Sequence, residues 1–218
     1  MDDNYLLANQ EAYDAVAEEY EARVENLRGV TKTCVEFLKP HIPFGEKVLD
    51  VGCGVGLMVS LLYHEGYVAE GIELSSNMVK FSQARNPSCP IYEDDFLGHS
   101  FPCAYRGITA LAFIHLFPKN DALCVLQKMH DLLLPGGILY IGTTKSEISS
   151  EGWEEKCDYQ KKARRFRKHW TEDEFRSILA EAGFVVLHCN IISDPFGKVW
   201  MDMVARKVED IFEVMSKK

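Results

Sequence analysis

The chain predicts an α/β fold: a doubly wound, Rossmann-like, mostly parallel sheet with helices on both faces. Three observations predict it. Short apolar runs alternate with helix-period segments between Lys47 and Thr144. A turn rich in glycine, Gly52-Cys53-Gly54-Val55-Gly56, joins the first such run to a helix. Two last apolar runs, FVVLHCNII and GKVWMDMVA, are separated only by SDPF, which suits an antiparallel hairpin.

The elements follow in order. Tyr13, Val16, Tyr20, Val24 and Leu27 recur at spacings of 3, 4, 4 and 3, an amphipathic helix over residues 8–27. A second helix is expected from Thr31 to just before Pro40. KVLDV at 47–51 is a strand, Leu57–Glu65 a helix closed by Gly66, and VAEGIEL at 68–74 a second strand. Ser75 or Ser76 caps a helix reaching about Arg85 before Pro87. PIYEDD suggests a third, edge-like strand and ITALAF a fourth. Asn120 or Asp121 is expected to cap the next helix, which Pro135-Gly136-Gly137 stops before the strand ILYIGTT. Residues 144–170 read as polar and without a strand. A helix from Thr171 to about Ala182, ended by Gly183, precedes the final hairpin, and the tail from Lys207 reads as helical or frayed. With no internal repeat, a single domain over 1–218 is the simplest organisation.

Composition narrows the classes. The 218 residues are 47% hydrophobic and 26% charged, close to the globular average, which excludes a disordered chain or a fibrous repeat. The longest apolar run, Ile108–Phe117, is ten residues, whereas about 20 are needed to span a bilayer, so no membrane helix is expected. The acidic start MDDNYLLANQ lacks the layout of a secretory signal. Seven cysteines without a C-x-x-C spacing point to free thiols in a reducing compartment, hence a cytoplasmic protein, and not to a disulfide framework or zinc site. No His/Asp/Glu cluster has metal-ligand spacing, so no metal is expected. A net charge of −9 disfavours general nucleic-acid binding.

The candidate site begins at the glycine turn. Its glycines let a ligand approach the backbone, and the following helix offers unpaired N–H groups. The spacing differs from the dinucleotide fingerprint G-x-G-x-x-G: the third glycine is one place early and position 57 is Leu. Asp50 stands two residues before the loop, where a pyrophosphate would be repelled. Glu73, at the end of the second strand, is placed to accept hydrogen bonds from ribose hydroxyls, and Asp95, after the third, to meet the amino group of a base. Three acids at strand ends beside a glycine loop point to a nucleoside carrying positive charge.

VLDVGCGVG, GIELSSNMV, EDDFLGHSF, ALAFIHLFP, LLLPGGILYIGTT and EAGFVVL, in that order, resemble the motifs of class I S-adenosylmethionine-dependent methyltransferases. YDAVAEEY resembles the N-terminal segment of small-molecule members. The resemblance covers roughly residues 10–143 and 170–205. It implies a seven-stranded sheet whose last strand is antiparallel, S-adenosyl-L-methionine as methyl donor and S-adenosyl-L-homocysteine as product. It further implies that Gly52, Cys53, Gly54 and Gly56 line the methionine and ribose part and that Asp50 helps hold the amino-acid end. Glu73 and Leu74 meet the ribose side, Met78 packs on adenine, and Asp95 with the Phe96 backbone meets the ring. Met78 also lies at core spacing on its helix. One departure is Arg106, where many relatives have an Asp at the start of the fourth strand.

The same resemblance makes residues 1–40 a helical lid and 144–170 a cap over the acceptor pocket. Tyr13 and Tyr20 share one helix face, suited either to line the site by cation–π attraction to a sulfonium or to pack in the core. His115 follows the fourth strand and is the candidate general base, or a structural residue. The segment 156–170 carries a net +6, leaving −15 elsewhere. Arg165 and Arg167, with His169, are the candidates to bind an anionic acceptor, a carboxylate or phosphate, the alternative being a solvated basic helix face. The leading function is methyl transfer to N, O or S of a small molecule. The competing readings are an RNA or protein methyltransferase docking through the basic insert and a non-catalytic cofactor-binding regulator. An NAD-dependent oxidoreductase is disfavoured by the glycine spacing.

Overall fold

A computed structural model describes residues 4–156 and 159–208. Helix α1 (Tyr5–Arg23) is capped by the Asn4 side chain and passes through a 3₁₀ turn, Val24–Leu27, into α2 (Arg28–Leu38). Strand β1 (Lys47–Val51) leads through the glycine turn to α3 (Leu57–His64) and β2 (Val68–Glu73). Ser75 caps α4 (Ser76–Arg85), which is followed by β3 (Ile91–Glu93) and β4 (Tyr105–Leu111). Then come α5 (Lys119–Leu132) and β5 (Leu133–Thr144). Strands β6 (Ser150–Lys156) and β7 (Ala163–His169) precede α6 (Glu172–Glu181), β8 (Phe184–Ser193) and β9 (Val199–Lys207).

Seven strands form one sheet in the order β3-β2-β1-β4-β5-β9-β8. Pairs from β3 to β5 are parallel, and β9 runs antiparallel to both β5 and β8. The strand order turns outward in opposite directions from β1 and β4, and a crevice forms at their carboxyl ends. Apolar side chains cover both faces of the sheet. One cluster centres on Leu49, Ile108 and Ile141 with α5 and α6, the other on Val48, Tyr140 and Val204 with α2 and α3.

Several expectations need correction. The insert over 144–170 holds two strands, β6 and β7, paired antiparallel in a hairpin of their own with Trp153 opposite Phe166. Its charged sequence hid the period-2 signal, because Arg165 and Arg167 point inward and are buried. Neither Asn120 nor Asp121 caps α5; Pro118 holds that position without a side-chain hydrogen bond. Pro135-Gly136-Gly137 is absorbed as an irregularity of β5, where the register jumps from Tyr105 opposite Leu133 to Gly107 opposite Ile138. Arg106 donates to the Pro135 carbonyl at 3.0 Å, so it ties β4 to that irregularity. Cys34, Cys53, Cys89, Cys103, Cys124 and Cys189 are free. Cys157 and the tail beyond Val208 lie outside the described residues.

Candidate active site

The glycine turn is built for close approach. Gly52 has φ +69°, and a Cβ there would stand 2.5 Å from Phe113 Cδ2. Gly54 has φ +53° and faces open space. Its N–H donates to Glu73 Oε2 at 3.0 Å, while Ser75 N–H donates to Oε1 at 2.9 Å. Burial raises the Glu73 carboxyl above its ordinary range against these backbone donors. Each oxygen keeps a lone pair for a further donor.

The turn opens into a cavity of about 250 Å³ lined by Gly52, Gly54, Glu73, Leu74, Met78 and Phe96 at one end. Asp95 also lines it, with its two oxygens accepting from the Leu97 and Gly98 N–H groups. Ala112, at the end of β4, has φ +56°, a strained conformation for a residue with a Cβ, and also faces the cavity. Three of the expected residues stand behind this lining. Asp50 is buried in β1 and accepts from Thr109 Oγ1 at 2.6 Å, and burial lifts its carboxyl to about 7. Cys53 lies against Ser82, with its thiol pushed up by burial. A Cβ at Gly56 would collide with Ser82 and Asn86.

Helix α1 closes over the rim. Gln10 donates to the Leu74 carbonyl at 3.1 Å and Asn9 to the Leu116 carbonyl at 2.9 Å, while Tyr13 and Tyr20 both line the cavity. Burial raises the Tyr20 phenol, so it stays a neutral donor. The hairpin forms the opposite wall. Phe166 N–H donates to Asn9 Oδ1 at 2.9 Å, and Arg165 Nη1 donates to the Tyr13 hydroxyl at 3.2 Å. Arg165, Arg167 and His169 fall on one face of β7. Glu154 accepts from Arg165 at 3.1 Å and from His169 at 3.1 Å, and Arg167 stands 3.6 Å away. Burial would raise the Glu154 carboxyl, but the Arg167 and Arg165 guanidiniums outweigh it and hold it low. His169 stands beside the arginines on Glu154 but is not among the residues lining the cavity.

His115 is buried, lines the cavity and meets Thr143 Oγ1 at 3.2 Å through Nδ1. Burial, then Arg167, Arg165, Lys156 and Lys198, depress its pKa well below 6.5, so the ring is neutral at pH 7. Four cations therefore face one end of the cavity. The sequence did not single out Lys156 or Lys198, nor Asp202 of β9, which also line it. A lone acid inside an apolar strand was the available signal for Asp202. Among the described residues no group of three His, Cys, Asp or Glu is arranged to hold a metal ion, and no helix is long and apolar enough to cross a membrane.

A family model described as a methyltransferase domain matches residues 22–189, well over half of the chain. The chain belongs to that family. Among curated proteins, this methyltransferase-family chain is 26% identical over 106 residues to dTDP-3-amino-3,6-dideoxy-alpha-D-glucopyranose N,N-dimethyltransferase of Streptomyces fradiae, covering 48% of this chain and 42% of that protein. It is 27% identical over 118 residues to ubiquinone biosynthesis O-methyltransferase of Chromobacterium violaceum, covering 50% and 49%. The chain thus spans about half the length of the curated relatives it matches. Its fold resembles that of Burkholderia thailandensis 1,6-didemethyltoxoflavin-N1-methyltransferase, solved with 1,6-didemethyltoxoflavin and S-adenosylhomocysteine, at TM-score 0.75 and 18% identity over 94% of this chain and 89% of that one.

Proposed function

We propose that the protein transfers a methyl group from S-adenosyl-L-methionine to a small acceptor that carries an anionic group, a carboxylate or phosphate. One observation carries the reading: a single cavity joins a carboxylate-and-bare-backbone end at Gly54 and Glu73 to a cationic end at Arg165 and Arg167. The donor supplies an activated methyl on a sulfonium, so the protein's task is alignment and exclusion of water, which account for roughly 7–11 kcal/mol of such a barrier. Glu73 accepts the ribose hydroxyls, Gly52 and Gly54 admit the methionine part, and Met78 and Phe96 wall the adenine, whose amino group meets Asp95. Asp50 supports this from behind as the anchor of β1 to β4. Tyr13 and Tyr20 form the aromatic wall nearest the hairpin.

The anionic acceptor is favoured by the placement of the cations. Arg165 and Arg167 are 3% and 8% exposed, so they do not form a solvated face, and their positive charge at the cavity wall favours an anion there. The same burial speaks against docking of RNA or a protein surface through the insert, since among its described lysines and arginines only Lys161, Lys162 and Arg164 are exposed. His115, neutral and surrounded by cations, orients and excludes water more readily than it stores a proton; a weakly basic ring is a poor general base. The six thiols of the described residues are free, which is consistent with action in the cytoplasm. The test is methyl transfer from isotopically labelled S-adenosyl-L-methionine into fractionated metabolites. Label in an acidic small molecule is expected; label only in RNA or protein, or none at all with cofactor bound, contradicts the reading.

A further inference from the structure

Asp202 sits in mid-strand on β9, opposite Gly142 of β5. Its residue is 3% exposed, yet it lines the cavity. Oδ2 accepts from the Tyr140 hydroxyl at 3.0 Å and faces Cys34 Sγ at 3.7 Å. Oδ1 is buried and takes a hydrogen bond from no described residue. It rests over Gly142, where a Cβ would collide with it and would stand 2.7 Å from Leu111 Cδ2. The backbone of β5 is therefore bare where the carboxylate lies.

A carboxylate oxygen left without a donor in an apolar wall is destabilising for the fold alone. An apolar side chain would serve the sheet better, and Oδ2 with Tyr140 already provides whatever anchoring the strand needs. Leu27 of the 3₁₀ turn and Val30 and Thr31 of α2 line the same cavity as Asp202. An occupant of the cavity that Asp202 lines can supply the missing donor.

We propose that Asp202 is a specificity-determining residue that accepts a hydrogen bond from an amine or hydroxyl of the methyl acceptor, so that the acceptor joins such a donor to its anionic group. The assignment rests on the methyltransferase reading above. It makes the acceptor bipolar: the anion lies toward Arg165 and Arg167, and the N–H or O–H toward β9. An anion lacking the donor leaves Oδ1 unpaired and binds less tightly, because sites built around a buried polar group reject analogues that lack its partner.

The experiment uses the full chain saturated with S-adenosyl-L-homocysteine. Calorimetry then measures 3-hydroxybenzoate and 3-aminobenzoate, which carry both groups, against benzoate, which carries only the anion. The parent is expected to bind the substituted acids about tenfold more tightly than benzoate. Asp202→Asn and Asp202→Leu should lose that preference while keeping their affinity for benzoate and for S-adenosyl-L-homocysteine, the latter serving as the check on folding. Equal binding of the three acids by the parent, no binding of any, or an unchanged preference in both variants overturns the role of Asp202. A parent that binds no S-adenosyl-L-homocysteine overturns the methyltransferase reading itself, a distinct result.

Discussion

The Arg165 guanidinium donates to the Tyr13 hydroxyl at 3.2 Å, joining the β6–β7 hairpin to helix α1 across the mouth of the cavity. Two segments far apart in sequence thus share one wall. Lys156 extends the link by standing 5.3 Å from the Tyr13 ring centroid. Arg167 fixes the hairpin from below by donating to Thr144 Oγ1 at 2.6 Å. The cations proposed to bind the acceptor are therefore also the ones that hold the wall.

Arg165→Ala and Arg167→Ala should raise the acceptor KM by about tenfold or more, since a charge-assisted hydrogen bond contributes roughly 1.5–3 kcal/mol. The Kd for S-adenosyl-L-homocysteine should change by less than about threefold. Steady-state kinetics together with calorimetry check this, and equal losses on both ligands would show that the arginines only support the fold.

Glu73→Gln keeps the shape of the side chain but removes its charge and puts a donor where an acceptor is needed. We expect S-adenosyl-L-homocysteine to bind about 10- to 100-fold more weakly, with a small fall in melting temperature because one of the two backbone N–H groups held by Glu73 loses its acceptor. Gly54→Ala strains a residue at φ +53° and should weaken the same binding, since the added methyl faces the cavity.

His115 should titrate well below 6.5 by side-chain NMR, because burial and four nearby cations oppose the imidazolium. Arg167→Gln removes one of them and should move the midpoint upward. A parent midpoint at or above 6.5 would contradict the electrostatics described for this end of the cavity.

The Asp202 carboxyl, raised by burial to about 6 from 3.8, makes stability depend on pH in a defined direction. Between those values the folded state holds a proton that the unfolded state has lost, so stability falls as pH rises. The penalty is absent below about 3.8 and complete above about 6. Asp202→Asn escapes it. Relative to the parent, the variant should therefore gain about 2–3 kcal/mol on going from pH 4 to pH 8, read by denaturant unfolding. An Asp202 that lowers stability for a binding role would show the trade-off expected of functional residues.

Much of this was legible in the sequence. The glycine turn and the Ser75 and Thr171 caps sit where local rules put them, because each depends on neighbours within a few residues, and Glu73 and Asp95 follow from the ends of β2 and β3. The hairpin was not legible, since a strand that buries arginines against a cavity has the composition of a solvated segment. That His169 meets the same Glu154 as the arginines is equally hidden, because only the pairing of β6 with β7 brings Glu154 to them. Asp202 was passed over inside an apolar run, and its meaning depends on Gly142, sixty residues away in sequence, as well as on Tyr140.

The central claim is that the hollow above β1 and β2 holds a sulfonium nucleoside. Isothermal calorimetry of the pure, folded protein with S-adenosyl-L-homocysteine tests it most directly. Saturable heat with one site per chain and a micromolar or tighter Kd, absent with NAD, is the predicted result; no heat with S-adenosyl-L-homocysteine or S-adenosyl-L-methionine would contradict it.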